Sequence, residues 1–212
     1  MRSAPRSTIA LLVGALAAPA FAQAQVAGAV RPMRAETVAT APAAGAASPA
    51  AEDSARRVAI DKLTAFIARY PNSALRPNAL YQLSELLVRR ADEQFAAAQR
   101  SGGGDVPTQP DYTAAVARYE ELVARYPAFA SVDAAAYTLG TLYAAEGKNT
   151  DAARMFELVT TKQDSHFRPE AYFRLGDARF ELASALRGPQ RKAMFVHAAD
   201  AYDNATKTAP PN

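Results

Sequence analysis

Between residues 132 and 159 the chain reads VDAAAYTLGTLYAAEGKNTDAARMFELV, with apolar positions at the three- and four-residue spacing of a helix face on both sides of a polar break. The pattern predicts two amphipathic helices joined by a turn at 146–149 (EGKN). It recurs on either side. Residues 56–70 place Ala59, Leu63, Phe66 and Tyr70 on one helix face, and Pro71 stops the run because proline cannot continue the helical hydrogen-bond ladder. Pro77 opens the next helix at a first-turn position, where its missing N–H costs nothing. That helix, from 78 to about 90, presents Leu80, Leu83, Ser84 and Leu87 and runs on through 96–98, until RSGGGDVP at 100–107 breaks it. A helix over 113–126 follows with Ala115, Tyr119 and Leu122, closed by Pro127. After the central pair, Pro169, Tyr172, Leu175 and Gly176 begin another unit. Its second helix, about 192–207, carries Met194, Phe195, Ala198, Ala199, Tyr202 and Ala205 ahead of Pro210.

In each unit the second helix sets an alanine four residues before an aromatic and a further apolar residue three beyond it: Ala115, Tyr119, Leu122; Ala152, Phe156, Val159; Ala198, Tyr202, Ala205. The first helix carries a leucine followed by a small residue: Leu83-Ser84, Leu139-Gly140, Leu175-Gly176, with Tyr143 one turn further on in the central unit. Small residue against alanine lets two helix axes approach, and the leucines and aromatics then fill the space between one pair and the next. No pair buries both of its faces alone, so stacking must supply the core. The expected fold is all-α: a helix-turn-helix solenoid of about three repeats (77–127, 133–164, 169–210) behind an N-terminal half-repeat helix, together occupying 54–212. Inserts are expected inside the first unit near 101–111 and inside the third near 183–190, between the paired helices.

This arrangement resembles the tetratricopeptide repeat family. Leu139, Gly140, Tyr143, Ala152 and Phe156 fall in order on the signature of its 34-residue unit; Asp164 stands where the family usually has proline. A narrower similarity, carried by YPNSALRPNALYQLSEL, the Gly/Pro-rich insert and PDYTAAVARYEELVARYP, is to bacterial cell-envelope members. These are relatives of the Tol-Pal-associated periplasmic coordinator, of the BamD outer-membrane assembly lipoprotein and of gliding-motility envelope proteins. The chain has no cysteine, which departs from the lipid-anchored BamD type and removes disulfides, thiolate nucleophiles and Cys-ligated metal.

The N-terminus reads differently. Residues 1–8 hold two arginines and no acid, residues 9–22 are the apolar run IALLVGALAAPAFA, and Ala20-Phe21-Ala22 has the small-x-small form of a cleavage site. This predicts a signal peptide cut after Ala22 and export to the periplasm or cell surface; the run is short for a bilayer anchor, the competing reading. Residues 23–53, rich in Ala, Pro and Gly, read as a flexible linker. The formal charge of +3 resides in this N-terminal part, and the charges from residue 51 onward balance. The domain therefore carries no basic footprint for nucleic acid.

In the repeat family the first helices line a groove. The resemblance places its peptide-facing positions on Asn78, Tyr81, Glu85 and Arg89, on Tyr137, Thr141 and Ala144, and on Glu170, Phe173, Asp177 and Phe180. Such a surface suits a basic or aromatic segment, with Glu85, Glu170 and Asp177 orienting it; the same residues also read as ordinary solvated faces. The last helix, with no polar helix after it in this sequence, is expected to leave part of its stripe open to self-association, to a partner, or to further repeats of a longer array. Catalytic signals are lacking: His166 and His197 stand 31 residues apart with no metal-ligand spacing, and Ser101-Gly102-Gly103-Gly104 has no lysine ending of a phosphate loop. Neither cofactor nor metal is expected. The resemblance implies a non-catalytic periplasmic scaffold for envelope proteins. Its rivals are the superhelical arm of a peptidoglycan-processing enzyme, accessory or truncated, and a subunit of a motility or secretion complex.

Overall fold

The structure, a computed structural model, describes residues 49–102 and 107–209; the expected signal peptide and nearly all of the expected linker lie outside them. Among the described residues there are seven α-helices and no strand: α1 Pro49–Arg69, α2 Arg76–Ser101, α3 Thr113–Arg125, α4 Val132–Ala145, α5 Asn149–Thr160, α6 Arg168–Ala185 and α7 Gly188–Thr208. Each helix packs chiefly against its neighbours in sequence. Helices α2/α3, α4/α5 and α6/α7 form three pairs, and α1 lies against α2 as a half-unit. This is an all-α solenoid in which burial arises from stacking.

Local chemistry sets the breaks. Pro77, Pro169 and Pro189 sit in the first turns of α2, α6 and α7. The α4–α5 turn is a Schellman closure: the Gly147 N–H donates to the Ala144 carbonyl at 3.0 Å and the Lys148 N–H to the Tyr143 carbonyl at 2.9 Å, with Gly147 at φ 72°. A side chain at that left-handed position would be strained, and so glycine punctuates the central pair.

Three expectations change. Helix α1 begins at Pro49, inside the stretch read as linker, and its most buried residues are Ile60 and Ile67. Ala59, Leu63 and Phe66 are only partly buried, and Tyr70 is 47 % exposed. The two stripes share Leu63 and differ by a small rotation; packed chiefly against α2 among the described helices, α1 turns its isoleucines inward. In the third unit there is no inserted loop at 183–190. The extra length goes into longer helices, leaving only Leu186 and Arg187 between α6 and α7. Apolar residues continue at helical spacing, and Phe180 meets Phe195 with ring centroids 5.2 Å apart. In the first unit α2 likewise runs on to Ser101, and the remaining insert is tied back to it by Gln99 Nε2 donating to the Pro107 carbonyl at 2.9 Å and by the Tyr112 hydroxyl donating to Asp92 at 2.6 Å.

The core runs along the seams. Leu83, Ser84, Ala115, Tyr119, Leu139, Gly140, Tyr143, Ala152, Phe156, Leu175, Gly176 and Ala198 are buried, whereas Tyr202 is half-buried. The aromatic rings do more than fill space between pairs. A Cβ built on Gly140 would stand 2.8 Å from the Phe156 ring, and one on Gly176 would stand 2.5 Å from the Tyr202 ring. Each ring thus lies flat on the small residue of its own pair, so the small residue makes room for the ring as well as for the neighbouring helix.

Candidate interaction surface

The positions expected to face a partner sit on α2, α4 and α6, the first helices of the three pairs. Asn78, Arg89, Thr141, Ala144, Glu170, Phe173 and Phe180 are exposed; Tyr81, Glu85, Tyr137 and Asp177 are half-buried. Tyr81, Tyr137 and Phe173 hold one register, each two residues before the leucine of its helix. Each meets the aromatic of its own second helix: Tyr81 with Tyr119 at 6.3 Å between centroids, Tyr137 with Phe156 at 5.9 Å, Phe173 with Tyr202 at 5.5 Å. The loop leading into the next pair then lays another ring on the first two. Phe129 lies 5.9 Å from Tyr81, and Phe167 stacks on Tyr137 at 5.0 Å with 20° between planes. Among the described residues nothing equivalent covers Phe173.

The carboxylates of this surface already have partners inside the fold. Glu85 accepts the Tyr119 hydroxyl, and Asp177 accepts the Tyr202 hydroxyl at 2.9 Å. Glu170 pairs with Arg174 at 3.0 Å. The two tyrosine bonds follow a rule visible within the chain: the residue after the small one is acidic where the facing aromatic is tyrosine (Ser84-Glu85 with Tyr119, Gly176-Asp177 with Tyr202). Where the aromatic is Phe156, that residue is Thr141, whose hydroxyl donates to the Tyr137 carbonyl instead. Burial first, and then the Glu85 carboxylate, raise the Tyr119 phenol far above its usual range; burial and the bond to Asp177 push Tyr202 up to about 12. Both hydroxyls therefore stay protonated and donate. Arg89 makes no ion pair among the described residues and remains a free cation at the edge of the surface.

Sequence reading missed two arginines that lock units together. Arg76 is 7 % exposed, donates to the Ile67 carbonyl at the end of α1, and pairs with Glu121 of α3. Burial alone would raise the Glu121 carboxyl, but the Arg76 hydrogen bond and charge, helped by Arg118 and Arg125, outweigh it and hold the group below the usual carboxylate range. Arg168 repeats the first contact, with Nε donating to the Thr160 carbonyl, at the end of α5, at 3.1 Å. The signal was present as a repeated Ser-x-x-Arg-Pro, at 73–77 and 165–169. In both copies the serine hydroxyl accepts the backbone N–H two residues on, from Leu75 at 3.1 Å and Phe167 at 3.2 Å, shaping the turn that aims the arginine. A third cross-unit contact, the Tyr143 hydroxyl on Glu120, ties α4 to α3.

His166 is exposed beside Phe167, and His197 is exposed on α7. No group of three or more His, Cys, Asp or Glu among the described residues could hold a metal ion, and no described helix is long and apolar enough to cross a membrane. On α7, Ala198 and Ala201 are buried, while Val196 and Ala199 remain exposed. No model of a known protein family matches the chain, and no curated protein matches it.

Proposed function

We propose that this chain is a non-catalytic tetratricopeptide-type scaffold of the bacterial envelope, exported to the periplasm, which holds segments of other envelope proteins along the faces of α2, α4 and α6. The observation that carries this reading is the row of Tyr81, Tyr137 and Phe173 at one register on three successive first helices. Phe173 is exposed, and Tyr81 and Tyr137 are half-buried beside Phe129 and Phe167; aromatic side chains held rigid by neighbouring rings offer contact area with little entropy to lose, the property that marks binding hot spots. Since Glu85 and Asp177 are engaged by tyrosines, the polar orientation of a bound segment falls mainly to the exposed Asn78, Arg89, Thr141 and Glu170. Support for export comes from the leader at 1–22 and for the repeat family from the Leu139, Gly140, Tyr143, Ala152, Phe156 signature.

The test is site-specific photocrosslinking in the periplasm from Thr141, with mass-spectrometric identification of the adducts and a matched probe at Arg154, exposed on α5. A discrete set of envelope proteins captured from Thr141 and not from Arg154, and diminished by Arg89→Glu or Glu170→Lys, is the expected result. Equal capture from both positions, or none from Thr141, would overturn the proposal.

A further inference from the structure

Each junction between units is built around a socket. At the junction of α4/α5 with α6, the socket receives Phe167 on the Tyr137 ring and Arg168 on the Thr160 carbonyl. At the junction of α1 with α2 only the arginine half is seen among the described residues: Arg76 binds the Ile67 carbonyl and Leu75 is left 62 % exposed. At the junction of α2/α3 with α4, only the aromatic half is used: Phe129 covers Tyr81, and the buried Val132 takes the register of the arginine.

The outer face of α6 and α7 carries both halves of the same socket. Phe173 holds the register of Tyr137, and Thr206 holds that of Thr160, four residues beyond the aromatic of its helix. They line one hollow of about 610 Å³ together with Glu170, Asp177, Tyr202 and Ala205, within the roughly 300–1,000 Å³ usual for ligand sites. Phe173 is 45 % exposed there, with the Tyr202 ring beneath it and no ring above it among the described residues. The charge also fits. The carbonyl end of α7 carries the negative end of its helix dipole, and Glu170 and Asp177, though Arg174 pairs with both and the Tyr202 hydroxyl donates to Asp177, keep further acceptor sites.

We infer that this face is a docking site for a different polypeptide presenting an aromatic residue directly followed by arginine at the start of a helix. The aromatic stacks on Phe173, and the guanidinium reaches the Thr206 carbonyl between the two carboxylates. A second copy of the chain is the poorer occupant: its one aromatic-Arg-Pro sequence is Phe167-Arg168-Pro169, already seated in its own socket. The inference rests on reading the chain as a protein-binding scaffold, and adds an end-on site of defined specificity to the lateral surface.

A labelled peptide copying residues 164–175 supplies the probe, titrated onto the whole mature chain by fluorescence anisotropy. Saturable one-to-one binding is expected. It should weaken tenfold or more when the peptide carries Phe→Ala or Arg→Ala at the positions of Phe167 and Arg168, and equally when the protein carries Phe173→Ala with an unchanged helical spectrum. Absence of saturable binding, or binding indifferent to all three changes, overturns the inference. So does self-association of the protein alone that Phe173→Ala abolishes, since a second copy would then fill the socket. Crosslinking from Thr141 remains an independent readout, so failure here is distinguishable from failure of the scaffold reading.

Discussion

Gly140→Ala isolates the contact on which the central pair is built. Alanine in place of a helical glycine ordinarily stabilises by about 1 kcal/mol. Here the new methyl would lie 2.8, 3.0 and 3.1 Å from three atoms of the Phe156 ring, closer than carbon contacts allow. Phe156 is 1 % exposed, so the ring has no solvent to swing into and the strain passes to the packing of α4 on α5. Overpacking of this kind costs roughly 1–3 kcal/mol, and the enclosed ring sets the expectation at the upper end. Less the propensity gain, the variant should lose about 1–2 kcal/mol. Gly176→Ala approaches the Tyr202 ring more closely still, at 2.5 Å, yet Tyr202 is half-exposed and can tilt outward at the loss of one hydrogen bond. The expected order is therefore opposite to the order of distances, with Gly176→Ala costing less. Urea denaturation followed by far-ultraviolet circular dichroism measures both, with unchanged m-values confirming that the same surface unfolds. Gly140→Ala at or above wild-type stability would refute the ring-on-glycine account. Gly140→Leu should cost more than about 3 kcal/mol by the same argument.

Two further predictions address the polar contacts. Arg76→Gln should destabilise by about 2–3 kcal/mol, below the roughly 3–5 typical of a broken buried pair because Arg118 and Arg125 still neutralise Glu121, and hydrogen exchange should report earlier opening of α1. Glu121 titrates below its ordinary 4.5 in the fold. Its contribution is therefore present above that value and lost as pH falls toward the depressed folded pKa, and Arg76→Gln should shrink this acid-dependent loss; an identical pH profile would count against the pairing. Tyr119→Phe and Glu85→Thr should each cost about 1.5–3 kcal/mol by stranding a polar partner. The double variant should recover much of the loss because it recreates the Thr141/Phe156 pair, and strict additivity in a double-mutant cycle would dismiss the coupling.

The candidate surface was only partly legible in advance. Its aromatic positions follow from helical register, which is local. What its carboxylates meet inside the fold was not legible, because whether Glu85 or Asp177 accepts a hydroxyl depends on a residue 34 or 25 positions away. The Ser-x-x-Arg-Pro repeats were visible in the letters, but their role needed the position of the preceding helix end, since nothing in the arginine's own neighbourhood specifies which carbonyl it will reach.

The chain by itself determined the order of the seven helices among the described residues, the three pairs and the small-residue and aromatic positions where helices meet, because helix periodicity, proline and glycine act over a few residues. Only the tertiary structure decided which of two overlapping stripes of α1 turns inward, that the extra length of the third unit becomes helix rather than loop, that Arg76 and Arg168 fasten one unit to the last, and that Phe173, alone among its register, has no covering ring among the described residues. Those outcomes depend on what lies across a seam from each side chain, and that neighbour is brought there by the stacking of whole pairs.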